Sequence, residues 1–257
     1  MESKIKIFES GISEGIMSKN KKFYKEEITE EEINKLFLEV RMNLGKKYGF
    51  DGKKMFQALQ KTDKNNQDYP DGKYHIIDDN DIEAEDLWEV KIPADILIIS
   101  EKYKHIVVGN QMADCPILIV EDRKQGVTAL SHCGAPYIDR RLPYQTIESL
   151  VKAYKSNTKD LYVYIGSCAK KESFIYDRYP LWAKDNEVWD GYIIKKEEDY
   201  HIDMIGAMIK QIKKFGIDNI EVSSEDTITN NKHYSHSAAY KGNTSKKGQN
   251  FVGFFYK

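Results

Sequence analysis

Residues 116–131 hold two apolar runs, PILIV (116–120) and GVTALS (126–131), joined by the polar stretch EDRKQ. Both runs have strand length and are too short for ordinary helices. A parallel pair would need a crossover of a dozen or more residues, so the short connection leaves an antiparallel hairpin. That hairpin commits the chain to a β-sheet. It also brings the far ends of its two runs together, making neighbours of Cys115 and His132, which lie seventeen positions apart in the chain.

Further strand-like runs occur at 94–100 (ADILIIS), 105–109, 161–165 (LYVYI), 219–222 and 251–256 (FVGFFY). Helices are predicted over three stretches. Residues 29–48 open with Thr29 and Glu32, a capping box, and set Ile33, Phe37 and Val40 on one stripe. Residues 143–154 start on Pro143 and space Ile147, Leu150 and Val151 helically. Residues 201–215 repeat that spacing through Met204, Met208 and Ile212 and stop at Gly216, with Asp203 serving the helix N-terminus. Strands outnumber helices, which implies an α/β (α+β) fold, a mixed β-sheet with packed helices. No linker or repeat divides the chain, so it reads as a single domain over 1–257. The polar stretch at about 61–89, with its Pro70-Asp71-Gly72 turn signal, reads as a variable surface excursion.

Hydrophobic residues make up 40% and charged residues 31%, enough for a sizeable core. The net charge of -2 offers no basic face for nucleic acid. No apolar run approaches the roughly 18 residues of a membrane helix, and the first residues lack the apolar core of a signal peptide. The three cysteines, Cys115, Cys133 and Cys168, have no disulfide spacing and read as reduced thiols, which places the protein in the cytoplasm.

The densest reactive stretch is 112–141. A Cys and a His meeting at a sheet edge, with Gly134 opening the backbone behind them, supply two of the three ligands a catalytic Zn²⁺ takes. The plainer reading is that an isolated Cys is a small buried hydrophobe.

ADCPILIVEDRKQGVTALSHCG (113–134) resembles the signature of the laccase-domain, or multicopper polyphenol oxidoreductase, family, also called YfiH-like or peptidoglycan editing factor. IPADILII (92–99), YIGSC (164–168), 202–227 and 233–256 resemble its flanking motifs in order, from about residue 25 to the end. The resemblance implies a metal held by Cys115, His132 and a further His. The family's upstream His follows a Gln, but no His follows Gln57 or Gln60 directly. His75 is the one histidine nearby, to be read as third ligand or as a surface residue, with Asp63, Asp68 or a water as alternatives. The family's WRG arginine is displaced to Arg140 and Arg141, and its TGR motif has become KKGQ (246–249). By analogy Arg140, Arg141, Cys168 and His236 are substrate-binding candidates, with 246–249 adding anion donors, and Cys115 and His132 are the catalytic ones. Cys133 reads as structural, and His233, like His236, as a cleft or an exposed loop residue.

The family implies a metal-dependent purine nucleoside enzyme, catalysing phosphorolysis of adenosine, inosine or methylthioadenosine and deamination of adenosine. It also implies, as alternatives, copper-dependent polyphenol oxidation or hydrolysis of a peptidoglycan-precursor amide. A Cys–His site suits Zn²⁺, with Cu²⁺ as the alternative. Laccase chemistry needs several coppers and many histidines, whereas six occur here and none forms a His-X-His pair. The altered motifs also allow a degenerate, non-catalytic nucleotide- or protein-binding member. The expected partners are a nucleoside and phosphate, with no nucleic acid and no membrane, for a monomer or homodimer.

Overall fold

The computed structural model describes residues 2–60, 70–183 and 186–257. The hairpin forms as expected: β6 (Ile117–Asp122) and β7 (Val127–His132) pair antiparallel, Ile117 opposite His132 and Asp122 opposite Val127. They are the middle strands of a six-stranded sheet. β8 (Leu161–Ile165) and β12 (Ile220–Val222) flank β6, while β4 (Ile96–Ser100) and β3 (Tyr74–Ile76) flank β7. The β8–β12 and β3–β4 pairs are parallel and the rest antiparallel, so the sheet is mixed.

A second sheet lies over it, ordered β1 (Ile5–Glu9), β13 (Asn250–Tyr256), β5 (Val107–Met112), β2 (Met55–Gln57). Side chains alternate across each strand. Leu97, Ile99, Ile117, Ile119 and Leu130 of the large sheet therefore meet Val108, Val252, Phe254 and Tyr256 of the small one in a buried layer. The opposite face of the large sheet, through Ile96, Leu118, Val120 and Ala129, packs on α3 (Leu142–Tyr154) and α4 (Met204–Lys213). The outer face of the small sheet packs on α1 (Glu30–Tyr48) through Phe8, Phe37, Leu44, Phe251 and Phe255. The order of layers is α, β, β, α. Continuous apolar alternation on both faces is what such inner sheets require.

The capping box at the start of α1 is present: Glu32 N donates to Thr29 Oγ1 at 3.2 Å and Thr29 N to Glu32 Oε2 at 2.8 Å. Asp203 caps α4 by accepting from Gly206 N at 2.7 Å, and Gly216 adopts φ 68° after it. The helix predicted from 201 is corrected. His201 and Ile202 end β11 (Asp199–Ile202), which pairs with β10 (Ile193–Lys196) and β9 (Ile175–Tyr176) in a third small sheet. Residues 61–69 of the polar excursion lie outside the described residues, but its later part supplies β3 to the large sheet. Two short helices, α2 (Ala135–Asp139) and α5 (His236–Tyr240), complete the chain. Among the described residues no helix is long and apolar enough to cross a membrane.

Candidate functional site

The site lies at the open end of the hairpin. Cys133 N donates to Pro116 O at 2.8 Å, extending the ladder one step past β6 and β7. Beyond it Cys115 comes opposite Gly134. A side chain there would intrude, since a Cβ on Gly134 would lie 3.0 Å from Cys115 Sγ. Cys115 and His132 are thus a diagonal pair on neighbouring strands, for which Cα atoms are about 7–8 Å apart. They converge as the hairpin predicts.

Asp114 fixes the turn into Cys115. It is buried and holds φ 81°, a left-handed conformation that side-chain hydrogen bonds must stabilise. Thr227 Oγ1 donates to its Oδ1 at 2.8 Å and Ser237 N, in the first turn of α5, to its Oδ2 at 2.7 Å. Nothing local in the sequence marks Asp114 for this role, and Thr227 and Ser237 carry no local signal either.

His132 is half-buried, but its Nε2 is sealed from solvent and has no hydrogen-bond partner. Burial holds its pKa down at about 4, so the ring is a neutral imidazole at physiological pH. The Cys115 thiol is pushed up to about 12, by burial first and then by Asp114 and Cys168. Neither partner ionises the other, so no thiolate–imidazolium pair forms. Cys168 is fully buried and likewise raised by burial to about 12, with Lys170 Nζ at 3.9 Å from its Sγ. Its approach is anchored by Glu9, whose Oε1 accepts from Ser167 N at 2.9 Å and Tyr164 Oη at 3.1 Å. His233 is buried with Nε2 at 3.6 Å from Glu9 Oε2, so it belongs to this anchor.

The remaining candidates are placed differently. His75 Nε2 donates to Asp81 Oδ2 at 2.8 Å. Its register, His75 to Leu97 to Leu130, sets it two strands across and two residues along from His132, about 12 Å away by ordinary strand spacing. The structure does not bring it to Cys115 and His132. The segment that lacks the upstream histidine does arrive there, for Gln60 Nε2 donates to His132 O at 3.1 Å. Asp63 and Asp68 lie outside the described residues. Arg140 faces Asp71 at 3.7 Å, and Arg141 is ion-paired with Glu187 on a separate small pocket. The expectation that 246–249 donates to an anion is corrected at Lys246. That lysine is buried, with Nζ donating to the carbonyls of Thr227, at 2.7 Å, and Asn230. Cys133 is buried on the helix side of the sheet, as expected of a structural residue.

A cleft of about 880 Å³ opens beside the hairpin end. Phe174, Tyr176, Tyr179 and Trp182 wall one side and His236, Ser237 and Tyr240 the other. Ser237 binds Asp114, and Tyr176 is close enough to Cys115 for its phenol to be raised by burial first and then by that thiol. Cys115 itself does not line the cleft, which reaches the hairpin end through the Ser237–Asp114 contact. His236, exposed on α5, lines it as expected, but Arg140 and Arg141 do not.

A soft cation suits the orphaned Nε2 and the thiol beside Gly134, both lacking any other electrophile. Yet among the described residues no three His, Cys, Asp or Glu side chains are grouped to hold a metal ion. A catalytic zinc takes three protein ligands, so the described residues supply a pair and not a complete centre.

The family model for multi-copper polyphenol oxidoreductase laccase matches residues 56–250. The fold is similar to the crystal structure of the Bacillus licheniformis hypothetical protein YfiH, with a TM-score of 0.70 and 17% identity over 87% of this chain and 82% of that one. It is also similar to YlmD from Geobacillus stearothermophilus, with a TM-score of 0.69 and 15% identity over 87% and 81%. No curated protein matches the sequence.

Proposed function

Because the chain belongs to the multi-copper polyphenol oxidoreductase laccase family, we propose that it is an enzyme acting on a purine nucleoside bound in the aromatic cleft. The observation that carries this reading is the cleft itself, which has the volume of a small-molecule site and runs past Ser237, whose backbone N–H is bonded to Asp114, the neighbour of Cys115. Its aromatic walls suit a flat base, each stacked base contributing about 1–3 kcal/mol. Asp177 and Asp199 can accept from ribose hydroxyls, and Arg178 and Lys241 can meet a phosphate. Behind the cleft, at the hairpin end, His132 stays neutral with Nε2 as an acceptor, and the protonated thiol of Cys115 is a weak donor. The poverty of histidine sets phenol oxidation by several coppers below nucleoside chemistry.

A second reading, a binder without turnover, is favoured by the described residues supplying two donors and not three. One experiment separates the two. The protein is incubated with adenosine, inosine and methylthioadenosine, with and without phosphate and with and without added zinc or copper, and the products are resolved by chromatography. Free base appearing only with phosphate identifies phosphorolysis, and inosine formed from adenosine identifies deamination. Binding without product establishes the second reading. Neither binding nor product overturns both.

A further inference from the structure

We infer that the free edge of β1 is a docking site for an extended peptide carrying a lysine or arginine, which adds to the small sheet as a further strand. β1 ends that sheet, with β13 as its neighbour on one side only. Backbone bonds beyond both ends of the pair set its parity. Ser10 N donates to Phe251 O at 2.8 Å and Lys257 N to Lys4 O at 3.2 Å, each bond joining residues that the β1–β13 register places opposite one another. Bonded and non-bonded pairs alternate along an antiparallel ladder, so Lys4, Lys6, Phe8 and Ser10 turn their backbone groups toward β13. Those of Ile5, Ile7 and Glu9 point to the open edge. Side chains cover the two ends of this edge: Ser3 Oγ donates to Ile5 O at 3.4 Å and Tyr48 Oη to Glu9 O at 3.3 Å. Between them, the N–H and C=O of Ile7 have no protein partner among the described residues.

A groove of about 480 Å³ lies along this bare segment, lined by Ile7, Phe8, Glu9, Tyr48, Tyr164 and Glu221. It shares no lining residue with the aromatic cleft, so the inference does not rest on what the cleft holds. A peptide residue set antiparallel and opposite Ile7 exchanges two backbone bonds with it, and its side chain lies on the same face as that of Ile7. Glu9 and Glu221 stand there. Burial works against the charge of Glu9, but bonds from His233 and Ser167 outweigh it and hold the carboxyl below its usual range. Glu221 is exposed at the groove. A basic side chain complements both. The peptide residues on either side turn to the outer face, where Phe8 and Tyr48 suit apolar groups. Lys6 Nζ, donating to Tyr48 O at 2.8 Å, opposes a second base there. A second copy of β1 would bring an isoleucine opposite Ile7 and leave Glu221 without a counter-charge.

The test is fluorescence anisotropy of fluorescein-Gly-Thr-Val-Lys-Val-Thr-amide titrated with the full chain. Saturable binding is expected below about 1 mM protein. Replacing the peptide lysine with glutamate should abolish it. Methylating the lysine backbone nitrogen, which removes the donor to Ile7 O, should weaken binding about tenfold. Ile7→Pro removes the free N–H and leaves the ladder to β13 intact, and it should also cost about tenfold. Glu221→Gln should cost about threefold, a loss that vanishes in high salt. Circular dichroism confirms folding, and if Ile7→Pro does not fold, the methylated peptide decides. No saturation, or equal binding of the methylated peptide, overturns the assignment. So does displacement by N-acetyl-lysine amide as effective as by unlabelled peptide, which would make the groove a site for small ammonium ions. A free protein that sediments as a dimer and becomes monomeric in Ile7→Pro would show a second copy on the edge, and likewise overturns it.

Discussion

The neutral state of His132 links the stability of the fold to pH in a measurable way. In the unfolded chain the ring titrates near 6.5, and in the fold burial lowers that to about 4. Between those values the unfolded chain binds a proton that the folded one refuses, so stability falls as pH falls through this window and is fully present above it. At ~1.4 kcal/mol per pH unit the whole effect is ~3 kcal/mol. About 2 kcal/mol of it is lost between roughly pH 7 and pH 4.5, before most carboxylates are protonated. Urea unfolding should show this as a fall in midpoint of about 1 M for a chain of this size. The comparison is with His132→Gln, which fills similar space and does not titrate. Both proteins are measured with a metal chelator present, because a bound ion would also hold the ring neutral. The wild-type curve should drop away from the variant's as pH is lowered. Parallel curves across the window would refute the buried, neutral ring and with it the assignment of His132 as an acceptor.

Two further outcomes are expected. Arg41 is 2% exposed and donates to both carboxylate oxygens of Asp86, at 2.7 and 2.6 Å. Asp86→Ala strands that guanidinium against Phe37 and Trp88 and should cost about 3 kcal/mol, read from the same urea curves; an unchanged midpoint would show that water reaches the arginine. Tyr240 is 88% exposed on the cleft rim, so Tyr240→Ala should leave stability untouched. By calorimetry it should weaken nucleoside binding about tenfold if the ring stacks on the base, and unaltered affinity would remove Tyr240 from the site.

The hairpin and the end it closes were legible because both depend on local pattern and short loops. So were α1 and α4, whose caps at Thr29 and Asp203 are written in neighbouring residues. The second sheet was not legible. Its strands pair residues as remote as Ile5 and Tyr256, and periodicity gives the faces of a strand but not its partner. β2 and β9 are three and two residues long, too short to show alternation. His201 fell to a strand because the helical spacing begins at Met204, and the polar residues before it fit either pattern. Of the candidates named from sequence, His236 lines the cleft, and Cys115 and His132 meet at the hairpin end as the short loop implies. Asp114 was missed because only tertiary partners, Thr227 and Ser237, reveal why a non-glycine residue holds a left-handed turn there.

In the small sheet β13 lies between β1 and β5. Synthesis runs from the N-terminus, so β1 emerges early and waits for a neighbour that arrives some 240 residues later. Until then β5 presents an open edge and the apolar residues shared by the two sheets have one wall missing. Closing so long a loop costs about 5 kcal/mol of chain entropy before any contact repays it. Through the synthesis of those intervening residues the nascent protein therefore has a half-built interior, the condition in which exposed strand edges find other chains.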